Sequence, residues 1–431
     1  MTQEIEIKFI VRPEVITSLR EDLNALSNER QSGRKLVNIY YETPDLLLRR
    51  HDMGLRVRGV DGRFEMTMKT AGKTLGGLHQ RPEYNVPVEH PVPELARFPA
   101  DMWPAGLDAA RLEQAVKPLF RTDFTRETWV VTFEQAHMEI ALDNGSVDAD
   151  ARSEPLCELE LELLDGDVSA LLKFTERYIL RDGIRQGGLS KAARGYALAQ
   201  ARAVGEVKAF SAENMPAGAT LEQGLVVALE SALSHWQYHE ELWARGVADA
   251  ASEVYLAIKR LQHALALFGA VIPRKASTHL REQLADYEQQ LISPAREQSV
   301  LWSATANAPK LALTDFMVTC GWRPYLDEAA KKQLQGSLKR FADTQLGRIS
   351  AELKKTFHAP PSDYPAQLPR LQRAVDMAQI LAGVYPPAHS AVWIANWQAL
   401  EGAVAAQRAA DYEKLRKLAI KEAPFWRHSG R

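Results

Sequence analysis

Apolar and polar residues alternate at the start of the chain, where Ile5 and Ile7 are interleaved with Glu4, Glu6 and Lys8. Side chains alternate across a strand, so this stretch predicts one apolar face and one ionic face, with the charges roughly 7 Å apart along it. The same period of two returns in residues 34–43, 53–60, 63–70, 82–89, 124–133, 137–147 and 155–164, all rich in β-branched and aromatic residues. Turn signals such as Asp61-Gly62, Ala71-Gly72 and Asn144-Gly145 separate them. Helical periodicity interrupts the series only near 14–26, 108–119 and 168–180. Eight short strands with few helices predict a closed or nearly closed barrel.

Beyond Ala203 the period changes. A stretch without periodicity covers 204–219, and from 220 almost to residue 431 apolar residues recur every three or four positions, as in Leu221–Trp243, Glu253–Phe268 and Leu326–Phe357. A Pro-rich break at 358–369 divides this half into two helical bundles. The expected division is 1–203, a linker over 204–219, and a helical domain over 220–431.

Composition narrows the picture. At 431 residues, 46% hydrophobic and 25% charged, the chain is globular and long enough for two or three domains. The first residues carry charge where a signal peptide needs an apolar core, and no apolar run reaches the roughly 18 residues of a membrane span. A cytoplasmic protein without a membrane partner is expected. Net charge −2 argues against bulk attraction to nucleic acid, so any anion site must be local. Cys157 and Cys320 form neither a disulfide framework nor a metal cluster.

The strands carry the candidate chemistry. Arg56 and Arg58 are two apart, Lys69 ends its strand, Arg81 and Glu83 are two apart, and Glu158, Glu160 and Glu162 alternate with Leu159 and Leu161. If helices cover the apolar faces from outside, the ionic faces turn inward. Burying ions costs several kcal/mol each unless partners neutralise them, which makes such an interior a functional signature. Carboxylates suit hard divalent cations, while arginine and lysine suit phosphate oxygens. The implied ligand is a metal-bound polyphosphate, with Glu4 and Glu6 on metal and Lys8 on phosphate.

These residues resemble the CYTH superfamily, the triphosphate tunnel metalloenzymes. The opening EIEIK is similar to that family's ExExK motif, and the likeness continues through residues 39–58, MTMK, RPEYNVPV, Asp143, CELELEL and LSKAARGYAL, roughly residues 1–200. It implies an α+β multidomain chain with an eight-stranded antiparallel tunnel barrel that uses Mg²⁺ or Mn²⁺. It further implies Glu4 and Glu6 as metal ligands opposite two of Glu158, Glu160 and Glu162. Lys8, Arg56, Arg58, Lys69, Arg126 and Lys191 carry over as phosphate ligands, with Glu4, Glu6 and Lys8 at the reacting centre. Arg81, Glu83 and Asp143 join the substrate-binding set. So does Arg194, which with Lys191 follows Gly187-Gly188 at an expected helix start, where amides and charge converge on an anion. The expected reaction is hydrolysis of inorganic tripolyphosphate to pyrophosphate and phosphate. Adenylate cyclase, thiamine triphosphatase and a non-catalytic polyphosphate-binding adaptor are the alternatives.

The helical half resembles the CHAD domain, a module associated with polyphosphate. In its matching helix Tyr255 replaces a histidine and Ala257 an arginine, Lys259 and Arg260 remain basic, and His263 replaces a further arginine. Pro369 stands at the histidine position of the second repeat. These losses count against polyphosphate binding by this half. His235 and His239 have metal-pair spacing on one helix face, but without a third convincing ligand they are expected to be satisfied structural histidines. The Ala71–Thr74 stretch ends like a phosphate-binding loop, yet Thr67 occupies the place of the first required glycine.

Overall fold

The computed structural model describes residues 2–293 and 297–427. All eight predicted stretches are strands, and they close on themselves. The barrel runs β1 (Thr2–Val11), β9 (Arg152–Asp165), β8 (Ala136–Ala149), β7 (Lys117–Phe133), β2 (Glu29–Glu42), β3 (Gly54–Val60), β4 (Arg63–Lys69) and β6 (Leu78–Val88), which returns to β1. Every pairing is antiparallel, and the short strands β5 (Lys73–Leu75) and β10 (Ile184–Gln186) extend it at β6 and β1. Three residues are too few to show a period of two, so neither short strand was legible. The helix expected over 108–119 is α3 (Ala109–Ala115) only, because Lys117 and Pro118 are drawn into the ladder with Glu42 and Tyr41.

Register places the charges. Across β1 and β9, Glu6 faces Glu162 and Lys8 faces Glu160; across β7 and β8, Arg126 faces Asp143. The opposite faces are apolar and fully buried at Ile7, Phe9, Trp129, Ile140, Leu159 and Leu161. Helices α1 (Ile16–Leu26) and α4 (Val168–Phe174) contribute Leu19, Leu23, Leu171 and Phe174 to the same core. A second apolar layer gathers Leu55, Val57, Met66 and Met68 with Leu95, Phe98 and Leu112. Each buried side chain of this kind stabilises by roughly 1.5–3 kcal/mol, and together they fix the ionic face inward. Helix α5 (Lys191–Ala199) packs on β7 and β8, where Tyr196 meets the Phe120 ring edge-on at 5.3 Å and Phe120 stacks on Tyr40 at 4.5 Å. Only glycine fits at 195, since a Cβ there would lie 2.1 Å from the Phe120 ring.

The chain forms two compact units that do not follow a single cut in the sequence. The first is Met1–Glu206 with Glu240–Ala248 and Ser293–Thr319, and the second is Val207–His239, Asp249–Ile292 and Cys320–Arg431. Within the first, Asn307 on helix Ala304–Val318 accepts from the Gln186 amide at 2.9 Å, and the buried Lys310 pairs with Glu240. The second unit is helical as predicted and includes α7 (Ala250–Leu267), α12 (Leu368–Ala382) and α13 (Pro387–Ala405). The run expected to be continuous over 326–357 is broken. Glu328–Leu334 and Leu338–Phe357 are separate helices, because Ser337 is extended, accepts from the Arg340 amide as an N-cap and bridges to Thr220.

Candidate functional site

The barrel encloses a cavity of about 550 Å³ lined by charge. The structure brings twelve of the fifteen expected site residues to its wall: Glu4, Glu6 and Lys8 from β1, Arg56 and Arg58 from β3, Lys69 from β4, Arg81 and Glu83 from β6, Arg126 from β7, Glu160 and Glu162 from β9, and Lys191 from α5. Asp143 and Glu158 lie behind this wall, both 0% exposed. Arg194 does not join the lining. It donates from Nε to Glu154 at 2.7 Å, with Nη1 3.6 Å from Glu158. Sequence reading missed Glu65, His79 and Glu139, although each shares the inward face of its strand with a residue that was found, namely Lys69, Arg81 and Asp143. It also missed Arg49, which sits on the short helix α2 (Leu47–Arg50), where no alternation points the way.

Two electrical environments share the lumen. In the first, Glu4, Glu6, Glu139 and Glu162 converge from adjacent strands. Lys8 binds Glu6 at 3.1 Å, and Lys69 binds Glu4 at 2.7 Å and Glu83 at 3.2 Å. Burial lifts the Glu4 carboxyl above its usual range despite Lys69. At Glu6 the burial is outweighed by the Lys8 ammonium, which leaves its carboxyl low. Glu162 is pushed up to about 7 by burial and then by Glu4, Glu6 and Glu139. These carboxylates repel one another across the lumen, and carboxylate oxygens are the donors that hard cations take.

In the second, Arg126 grips Asp143 through Nε and Nη2, both at 2.7 Å, and reaches Glu160 at 2.6 Å. Lys191 binds Asp143 at 2.7 Å, Glu160 at 2.9 Å and also Glu158. The ligand atoms of Asp143, Glu158 and Glu160 lie within 4.8 Å of one another, a spacing that suits a metal, but an ammonium and a guanidinium already neutralise them. Arg58 differs. Its Nε donates to Asn38 Oδ1 at 2.8 Å, and among the described residues no carboxylate lies within ion-pair distance. Burial, then Arg56 and Arg126, depress its pKa to about 9. Arg56 has only a distant acid, Glu83 at 3.7 Å, and its buried Nε has no acceptor.

A hydrogen-bonded frame holds Arg49 at the wall. Glu42 accepts from the Leu48 and Arg49 amides at 3.0 and 2.9 Å, capping α2, and from the Tyr196 hydroxyl at 2.7 Å. The Arg49 guanidinium lies 4.5 Å over the Tyr196 ring. In the helical unit, both nitrogens of His239 are engaged, Nδ1 with the His235 carbonyl at 2.8 Å and Nε2 with the Lys208 amide at 3.2 Å, while His235 binds Glu253 at 2.9 Å. The ligand atoms of His235, His239 and Glu253 lie within 4.8 Å of one another, so the fold supplies the third candidate ligand that the sequence did not offer, while hydrogen bonds already engage both histidines.

Comparison with known proteins agrees with the geometry. The CYTH domain model matches residues 2–196 and the CHAD domain model residues 227–414. The chain is 36% identical over 203 residues to an inorganic triphosphatase of Haemophilus influenzae, an overlap of 46% of this chain and 55% of that relative, so it spans about half the relative's length. Two solved structures are similar in part. One is a Hippeastrum protein described as an adenylyl cyclase candidate with a dominant triphosphatase activity (18% identity, 45% of this chain and 95% of that one, TM-score 0.34). The other is the CHAD domain of the plant Ricinus communis (16% identity, 50% and 89%, TM-score 0.37). A closed eight-stranded barrel with an ionic lumen, followed by helices, makes this chain a CYTH domain over residues 2–196 joined to a CHAD domain over 227–414.

Proposed function

We propose that the lumen is a metal-dependent triphosphatase site whose substrate is inorganic tripolyphosphate, cleaved to pyrophosphate and phosphate. One observation carries the reading: Arg58, with Arg56 beside it, is a cation inside the barrel without a carboxylate of its own. A buried unpaired guanidinium is costly, and a phosphate chain supplies the missing acceptors in bidentate form. Similarity to an inorganic triphosphatase supports the same class.

Glu4, Glu6, Glu139 and Glu162 would hold Mg²⁺ or Mn²⁺, the set in which burial and like charge push the Glu162 carboxyl up to about 7. When bound, such an ion neutralises phosphate charge and acidifies a ligated water. The chain's own residues do the rest. Arg56, Arg58, Lys8 and Lys191 clamp the phosphates, and Arg126 stabilises charge on the oxygens of the transferred group. Asp143, Glu158 and Glu160 keep Lys191 and Arg126 charged and aimed. A lumen carboxylate accepts the proton of an in-line water. The domain division that goes with this reading is 1–203, a linker over 204–219, and 220–431, and the protein acts in the cytoplasm.

The test is a phosphate-release panel of tripolyphosphate, ATP, thiamine triphosphate and long-chain polyphosphate, with Mg²⁺, Mn²⁺ or EDTA. Turnover of tripolyphosphate above the others, abolished by EDTA, is the expected result. Cyclic AMP formed from ATP would replace the reading with cyclisation, and metal-dependent turnover of none of the four would end it.

A further inference from the structure

The helical unit holds a second cavity, of about 150 Å³, between α7, α12 and α13. Its walls include the eroded helix of the CHAD resemblance, through Tyr255, Lys259, Arg260 and His263, so what replaced the missing basic residues is visible there. Arg260 is 5% exposed. Its Nη2 binds Asp376 at 3.1 Å, its plane lies 4.0 Å from the centre of the Phe210 ring, and its Nε and Nη1 have no hydrogen-bond acceptor. Across α12, Asp376 also binds His263 at 2.8 Å. The other charged groups of the wall are committed: Lys259 to Glu288 at 2.9 Å, and Glu253 to His235 at 2.9 Å.

Glu401, on α13, is the exception. It lines the cavity with no cation within ion-pair distance among the described residues, and burial, then Asp376, lifts its carboxyl to about 7. The cavity thus offers one under-satisfied guanidinium and one carboxyl without a salt bridge among the described residues, which takes a hydrogen bond from Gln372, with further amides from Gln379 and Gln398 in the wall. A polyanion entering here would add negative charge against Asp376 and Glu401. A simple cation would leave the Arg260 donors unmet, and unmet buried donors are expensive. A volume of this size corresponds to roughly ten water positions, which suits a molecule of a few to about ten heavy atoms.

We propose that this cavity binds a small zwitterion of amino-acid size, its carboxylate on Arg260 and its ammonium on Glu401. The site is separate from the barrel and does not depend on the reaction assigned to it. It gives the second domain a ligand class different from polyphosphate.

The experiment is calorimetric titration of the full-length protein with glycine, β-alanine, γ-aminobutyrate and glutamate, with acetate, methylamine and long-chain polyphosphate as single-charge and polyanion probes. At least one zwitterion should saturate the wild type and lose tenfold or more in affinity, about 1.4 kcal/mol, in both Arg260→Gln and Glu401→Gln. Glu401→Gln is nearly isosteric, so it keeps the test decisive if Arg260→Gln fails to fold by circular dichroism. Saturation by none of the four below about 10 mM, a range already weaker than ordinary ligand recognition, would overturn the proposal. So would affinity untouched by Glu401→Gln, acetate or methylamine binding as tightly as any zwitterion, or polyphosphate binding that Arg260→Gln removes.

Discussion

Arg126 and Asp143 face each other across β7 and β8 and join through two 2.7 Å hydrogen bonds, with the Asp143 side chain fully shielded from water. Arg58, in the same lumen, donates to the Asn38 side-chain oxygen and, among the described residues, has no carboxylate within ion-pair distance. The two arginines therefore differ in energetic standing: one is neutralised by carboxylates, the other has a neutral amide partner.

Substitutions should separate them. Asp143→Ala leaves Arg126 and Lys191 short of a buried counter-charge and should destabilise by about 3–5 kcal/mol. Arg58→Ala removes an uncompensated buried cation, so thermal stability should hold or rise. Its KM for tripolyphosphate should increase tenfold or more while metal affinity measured by calorimetry stays near wild type, because arginine clamps phosphate but does not ligate a cation. A KM unchanged by Arg58→Ala would remove arginine clamping from the account.

Glu6 and Glu162 face each other across β1 and β9 yet should respond differently to the same chemical change. Both Glu→Gln variants should lose metal affinity and turnover. Glu6 has its carboxyl held low by Lys8, so it contributes stability above its ordinary pKa of 4.5, and Glu6→Gln should cost on the order of 2 kcal/mol at pH 7.5. Glu162 is strained by like charge, so Glu162→Gln should raise the melting temperature of metal-free protein by a few °C. Differential scanning calorimetry in EDTA reads both.

The pH dependence has a defined sign. The Glu162 carboxyl titrates at about 7 in the folded protein against 4.5 ordinarily, so the stability it contributes is full below pH 4.5 and lost as pH rises through 7. Metal-free protein should therefore melt lower at pH 8 than at pH 5.5, and Glu162→Gln should flatten that part of the profile. Protons and metal compete for the same oxygens, so apparent Mg²⁺ affinity should fall as pH drops below 7. Affinity constant from pH 6 to 8 would exclude Glu162 from the metal set.

Tyr196→Phe removes the hydroxyl that ties α5 to Glu42, the residue that caps the helix bearing Arg49. The loss should cost about 1–2 kcal/mol of stability and free Arg49 from its stacked position. Thermal melts and tripolyphosphate KM should both worsen. A melt shift without any change in KM would confine Arg49 to a structural role.

The ionic lumen was readable because alternation is a local property. Once Ile5, Ile7, Leu159 and Leu161 must be covered, Glu4, Glu6, Glu160 and Glu162 have nowhere to face but inward, and register follows from the pleat. The same logic, applied more fully, would have found Glu65, His79 and Glu139. What no local pattern contains is who neutralises whom. Arg194 and Lys191 are three residues apart on one helix, yet Lys191 reaches the cavity wall and Arg194 turns to Glu154, because Glu154 and Glu158 arrive from a strand distant in sequence. Arg56, Arg58 and Arg126 look alike as residues on strands, yet the register of β7 with β8 sets Asp143 opposite one of them while the others are left short of acid. The cavity between α7, α12 and α13 is decided at the same level, since Arg260 comes near Asp376 and Glu401 only when α7 packs with helices more than a hundred residues further along the chain. Periodicity is set by the backbone's own geometry. Charge pairing is set by distance in space, which the fold alone creates.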